Sequence, residues 1–196
     1  MMKVVNEILA LFQRTGAYLS GHFRLTSGLH SPEYLQCARV LQYPEHAQSL
    51  GAQLAAEIKK ANPSPVAVVA SPAIGGLIIG HEVARALGAR AIFTERDAGG
   101  QMTLRRGFSV QPDENAVVIE DVVTTGGSLL DVANALKELG ANVVAAGSII
   151  DRSGGTLDLG IPRTALATLR PITYAEADCP LCRDGVPVEK PGSRKS

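Results

Sequence analysis

The chain has 196 residues, 45% of them hydrophobic and 19% charged, with 19 Lys or Arg set against 19 Asp or Glu. That length suffices for one α/β core with a small appendage, and the even charge balance lays out no field for nucleic acid or an anionic membrane, so a small-molecule site is expected. Three cysteines make no disulfide framework, no stretch approaches the roughly 20 apolar residues of a membrane span, and no signal peptide is legible, so the expected setting is soluble and cytoplasmic.

Val4, Ile8, Leu11 and Phe12 recur at helical spacing ahead of Gly16 and predict an opening amphipathic helix. Residues 21–35 then alternate apolar and polar, broken by Ser27-Gly28 and Ser31-Pro32, which reads as a small hairpin. His22 and His30 have no acid or cysteine at a familiar ligand spacing and are not expected to bind metal. Pro44 opens a helix whose buried face is Ala47, Leu50, Leu54 and Ile58, closed by Asn62-Pro63. A buried strand over 66–70 runs into Ser71-Pro72-Ala73-Ile74-Gly75-Gly76, and a helix over 77–87 follows, ended by Gly88. Strand, Gly-containing turn and helix start form an anion-binding junction, with a plain β-α turn as the alternative. After a strand over 89–93, residues 94–106 hold Glu95, Arg96, Asp97, Gly99, Gly100, Gln101, Arg105 and Arg106, and such a polar stretch between core strands reads as a mobile loop.

The stretch Val117-Val118-Ile119-Glu120-Asp121-Val122-Val123-Thr124-Thr125-Gly126-Gly127-Ser128 organises the rest. Residues 116–119 suit a parallel strand buried on both faces, so Glu120 and Asp121 should emerge at its carboxyl end, where open α/β sheets bind ligands. Paired carboxylates accept hydrogen bonds from a vicinal diol or hold it through Mg²⁺. Leu129, Val132, Ala133, Leu136 and Leu139 have helical spacing up to Gly140, which makes 124–128 a helix amino terminus: free N–H groups, two glycines for close approach and three hydroxyls, all suited to phosphate. A strand over 143–150 ends in Asp151-Arg152-Ser153-Gly154-Gly155, where Arg152 can grip a carboxylate with two hydrogen bonds or else pair with Asp151. A last strand over 165–169 precedes a loop-rich tail from Pro171. Its Cys179-Pro180-Leu181-Cys182 is half a zinc site with no second pair after it; free structural thiols are expected, with a metal site shared at a dimer contact as the sharper alternative. Residues 189–196 are polar and charged and expected to be disordered.

Residues 117–128 resemble, at every position, the phosphoribosyl pyrophosphate (PRPP) signature of the type I phosphoribosyltransferases. Residues 23–34 resemble the amino-terminal substrate segment of orotate phosphoribosyltransferases, Phe-x-Leu-x-Ser-Gly-x-x-Ser-Pro-x-Tyr, with Thr26 where a Lys is usual, and Asp151-Arg152 resembles that family's strand end. The resemblance implies a Rossmann-like parallel sheet flanked by helices with an amino-terminal flap or hood. Within a single domain, 1–43 would be helix and flap, 44–170 the core and 171–196 the tail. It implies transfer of a phosphoribosyl group from PRPP to orotate, giving orotidine 5′-monophosphate and pyrophosphate in pyrimidine synthesis, with Mg²⁺ held mainly through PRPP. Glu120, Asp121 and residues 122–128 would hold ribose and 5′-phosphate, and Ala73, Ile74 and Gly75 the diphosphate, with a non-proline cis peptide near Ala73-Ile74. Thr124, Arg152 and Tyr34 would meet the base. The 94–106 loop would reach the neighbouring subunit of a homodimer, with Arg96 covering the diphosphate. That loop departs from the family pattern, since no Lys or His stands where one is usual. Two other readings stay open: a transferase for a purine or uracil, and a non-catalytic PRPP sensor, for which the neutral composition offers no nucleic-acid surface.

Overall fold

The computed structural model describes residues 2–25 and 27–191, the side chains from residue 5 onward; Thr26 and residues 192–196 lie outside the described residues. In chain order the elements are α1 (Met2–Arg14), β1 (Tyr18–Arg24), β2 (His30–Leu35), α2 (Cys37–Leu41), α3 (Pro44–Ala61), β3 (Val68–Pro72) and α4 (Leu77–Leu87). Then come β4 (Arg90–Arg96), β5 (Met102–Leu104), β6 (Asn115–Val123), α5 (Gly127–Glu138), β7 (Asn142–Asp151), β8 (Arg163–Thr168) and a final short α6 (Pro180–Arg183). They fall into two compact units, one of residues 1–40 with 170–196, the other of residues 41–169.

In the first unit, α1 buries Ile8 and Phe12, the face its spacing predicts; Val4 of that face lies outside the described side chains. β1 and β2 pair antiparallel, with an irregularity between Ser20 and Phe23. The carboxyl-terminal segment is sewn onto this hairpin by backbone hydrogen bonds. His30 and Tyr174 exchange N–H···O bonds of 2.9 Å each, Arg24 N–H donates to Glu189 O at 2.8 Å, and Glu189 N–H donates to His22 O at 2.8 Å. Glu189, expected in a disordered end, is therefore bonded in. The same pairing sets His22 and His30 edge to face, and the tail adds Cys179 and Cys182. Spacing along the chain argues against these histidines as ligands, but it does not measure a proximity created by strand pairing and by residues about 150 positions away.

The second unit is a six-stranded sheet ordered β5-β4-β3-β6-β7-β8. Every neighbouring pair is parallel except β4 and β5. The apolar run 116–119 is completely buried in central β6, as a parallel strand covered on both faces requires. Helix α5 covers one face with Leu129, Val132, Ala133 and Leu136, packed among Val68, Ala70, Ala116 and Val118. On the other face, Leu54 and Ile58 of α3 lie with Ile119 over Gly147 of β7. Each such large side chain taken from water is worth about 1.5–3 kcal/mol, so β6, the strand of the two-acid clamp formed by residues 117–128, is anchored from both sides.

The sequence reading of residues 94–106 as a mobile loop is corrected. β4 runs on to Arg96, and 94–104 is an antiparallel hairpin pairing Thr94 with Leu104 and Arg96 with Met102. Its turn is closed by Asp97, whose Oδ1 accepts N–H bonds from Gly99 at 2.8 Å and Gln101 at 2.9 Å. Polar side chains hide this strand pair from a periodicity argument because they pair with one another: Arg106 donates two 2.9 Å hydrogen bonds to Glu95.

Candidate active site

The strand carrying the two acids continues past Ile119 to Val123. In register, Glu120 faces Ser148, Val122 faces Ile150 and Val123 faces Asp151. Glu120 and Asp121 thus sit in the last turn-ward part of a rigid ladder rather than in a loop. Asp121 is half-buried; removal from water pushes its carboxyl above the ordinary aspartate range, opposed by the Val122 N–H, which donates to Oδ1 at 2.9 Å.

Past Val123 the chain turns through Thr124 and Thr125, both exposed, and enters α5 at Gly127. The residue before it, Gly126, is left-handed at φ 77°, and a Cβ there would stand 2.7 Å from both Leu157 and Leu159. Only glycine fits the turn on both counts. Gly126, at the cap position, has no side chain to close this helix, and the positive end of the helix dipole lies at the turn.

A second turn closes on the same carboxylates. β3 ends at Pro72, the Ala73-Ile74 peptide is cis as the resemblance implies, and Ala73 N–H donates to Thr94 O at 2.9 Å. Gly75 then passes so near Asp121 that a Cβ on it would lie 2.8 Å from Oδ1 and 3.1 Å from Oδ2. Gly76 precedes α4. One Gly-containing turn, opening α4, therefore packs against Asp121, and a second continues from the end of β6 into α5. One is suited to each end of a ligand with phosphate groups on both sides of a diol.

At the end of neighbouring β7, Arg152 N–H donates to Val123 O at 2.8 Å, which ties the Asp151-Arg152 turn to the clamp. Asp151 is buried and its partner is Arg163 of β8, at 2.9 Å, with Ser153 N–H donating to its other oxygen at 2.8 Å. Burial alone would raise the Asp151 pKa, yet the Ser153 and Arg163 contacts outweigh it and hold the carboxyl below its ordinary value. The alternative of an Asp151–Arg152 ion pair is replaced by this longer-range one. Arg163 went unread because nothing local marks it: it lies at the start of a strand whose register alone brings it to Asp151.

Arg96 reaches α5 of its own chain, donating to Asp131 at 2.9 Å and to Gly100 O at 2.6 Å. Tyr34 lies on β2 with its ring 5.9 Å from that of Phe23, in the other unit. Among the described residues no helix is long and apolar enough to cross a membrane.

Comparison with known proteins agrees with this geometry. A model of the phosphoribosyl transferase domain matches residues 39–169. An orotate phosphoribosyltransferase of Pelotomaculum thermopropionicum is 53% identical over 190 residues, spanning 97% of this chain and 98% of that one. The chain belongs to the orotate phosphoribosyltransferase family. A second member, from Thermotoga petrophila, is 52% identical over 97% of this chain and 98% of its own. Among solved structures, the orotate phosphoribosyltransferase of Aeropyrum pernix superposes with a TM-score of 0.68 at 25% identity, covering 83% of this chain and 94% of that one. An adenine phosphoribosyltransferase matches with a TM-score of 0.61 at 14% identity, over 80% of this chain and 98% of that one. The fold by itself does not choose the base.

Proposed function

We propose that the chain transfers the 5-phosphoribosyl group of PRPP to orotate. The observation that carries this reading is the packing of the Gly75 turn, which opens α4, against Asp121 of β6, the strand that runs on through the Gly126 turn into α5. The 124–128 turn, with its N–H groups and the hydroxyls of Thr125 and Ser128, takes the 5′-phosphate. Glu120 and Asp121 accept hydrogen bonds from the ribose hydroxyls, and the turn through Ala73, Ile74 and Gly75 receives the diphosphate. The base nitrogen attacks the anomeric carbon as the bond to diphosphate oxygen breaks, so positive charge develops on the ring and the two carboxylates favour it. No protein nucleophile is needed; alignment and charge supply the rate.

The donor set also fits Mg²⁺, a hard ion that prefers oxygen: Asp121 lies beside the diphosphate turn, where the ion would neutralise leaving-group charge. Arg152 and Thr124, joined to the end of β6, are assigned to the base. The guanidinium answers the carboxylate that distinguishes orotate from uracil, and the names of the relatives favour the same base. Tyr34 is assigned to the base through its Ser-Pro-x-Tyr motif. In a homodimer, Arg96 would exchange its Asp131 contact for the neighbouring site's diphosphate. A neutral small-molecule enzyme without a membrane-crossing helix among its described residues suits the cytoplasm.

The test is direct: purified chain, Mg²⁺ and PRPP are mixed with orotate and the orotate absorbance is followed, with a control lacking PRPP. PRPP-dependent loss supports the assignment. PRPP binding without loss would move the assignment to another base or to a sensor.

A further inference from the structure

Away from the clamp, four potential metal ligands from two distant parts of the sequence converge within the first unit. His22 Nε2, His30 Nδ1 and the sulfurs of Cys179 and Cys182 all lie within 4.8 Å of one another. His22 Nε2 is 2.8 Å from His30 Nδ1, 3.5 Å from Cys179 Sγ and 3.6 Å from Cys182 Sγ, and Cys182 Sγ is 3.2 Å from His30 Nδ1. From these convergent donor atoms of His22, His30, Cys179 and Cys182, we propose that the chain binds one structural Zn²⁺ ion that joins its amino-terminal hairpin to its carboxyl-terminal tail.

The distances are close to those that a tetrahedral metal requires. With Zn–N near 2.0–2.1 Å and Zn–S near 2.3 Å, the edges of a tetrahedron are about 3.3 Å for N···N, about 3.6 Å for N···S and about 3.8 Å for S···S. The nitrogen–sulfur edges of 3.2–3.6 Å match; the nitrogen–nitrogen edge of 2.8 Å opens by about half an ångström when an ion takes the centre. The donor set is Cys₂His₂, whose soft thiolates and imidazoles select zinc over magnesium or calcium and leave no open position for a substrate.

The surroundings are those of a built site. His22 Nδ1 is 2.7 Å from Val186 O, which fixes the proton on Nδ1 and turns the Nε2 lone pair toward the other three ligands, the usual supporting contact of a metal-bound histidine. Cys179 stands just before α6 and Cys182 within it, so one short turn presents both sulfurs to the same point. His22, His30 and Cys179 are each at most 3% exposed. Without an ion the two rings share one hydrogen bond, at 2.8 Å, and the two thiols add only weak ones. The backbone bonds of Tyr174 with His30 and of Glu189 with His22 already run on either side of the cluster, so the ion would close a seam rather than bridge a gap. The unit it closes is small, and units of that size commonly need a metal or disulfide to hold their ends. Its three cysteines include no disulfide.

The full chain, purified under reducing conditions, is analysed for bound metal and then stripped with a chelator and reloaded with Co²⁺. The expected result is one zinc per chain as isolated. Co²⁺ should then give the intense visible bands of tetrahedral coordination with a thiolate charge-transfer band, and Cys179 and Cys182 should resist alkylation until the chelator is added. Cys182→Ser and His30→Ala should weaken the cobalt bands, and the wild-type spectrum stands even if either variant misfolds. No retained zinc, a weak octahedral cobalt spectrum, or equal alkylation with and without Zn²⁺ would overturn the proposal.

Discussion

Gly75→Ala tests whether the two turns and the carboxylates act as one device. The φ of Gly75 lies outside the left-handed region, so alanine adds a methyl group without straining the backbone. The methyl would stand 2.8 Å from Asp121 Oδ1 and 3.1 Å from both its Cγ and its Oδ2. Ordinary contact begins near 3.4 Å, so carboxylate or turn must retreat by about 0.6 Å. Retreat is resisted at both ends, by the Val122 N–H on Oδ1 and by the Ala73 N–H bond to Thr94. A misplacement of 1 Å can cost about a hundredfold in rate, so kcat should fall roughly tenfold, with a stability cost of about 1–3 kcal/mol from overpacking. Steady-state kinetics of Gly75→Ala, Asp121→Asn and the double variant separate the causes. If the methyl works through Asp121, its effect shrinks toward nothing once Asp121 is already Asn. An unchanged kcat, or an equal loss in both backgrounds, would refute the reasoning.

Asp121→Asn should lower kcat more than PRPP binding while raising the urea midpoint. Burial raises the folded-state pKa of Asp121, so the charged form at neutral pH weakens the fold and the neutral amide relieves it; that stability gain should vanish as the pH is lowered and the wild-type carboxyl protonates. Asp151→Asn has the opposite sign. It strips Arg163 of its ion-pair partner and should cost about 2–4 kcal/mol in urea titrations at pH 7. Because the folded-state pKa of Asp151 is lowered, its contribution is complete above the unfolded value of about 4 and is lost as pH falls through the folded one, so the gap between variant and wild type should close in acid. If Arg96 serves the neighbouring subunit of a dimer, mixing Arg96→Ala with Asp121→Asn should rebuild one intact site per mixed dimer and recover about a quarter of wild-type activity; no recovery would place Arg96 in its own chain's site.

What the sequence made legible was what neighbouring residues encode. The apolar run 116–119, the helical spacing of Leu129 to Leu136 and the small residues between them define strand, turn and helix without outside help, and the Gly75 and Gly126 turns follow from the same logic. What it left hidden is set by contacts between segments. The hairpin of β4 and β5 is a pairing of polar strands whose charges satisfy one another, as Glu95 and Arg106 do, so no apolar alternation marks it. β6 extends through Glu120 to Val123 because β7 offers it a ladder, although two adjacent acids look like a strand end. Arg163 and the four convergent Cys and His ligands depend on registers and tail paths that linear spacing does not carry.

The central claim is that this clamp delivers phosphoribose to a base chosen by its carboxylate. The measurement that bears on it most directly is the ratio of kcat/KM for orotate to that for uracil, in the wild type and in Arg152→Ala. The account predicts a large preference for orotate that collapses in the variant, chiefly through a raised KM for orotate. A preference that survives the loss of Arg152 intact would contradict it.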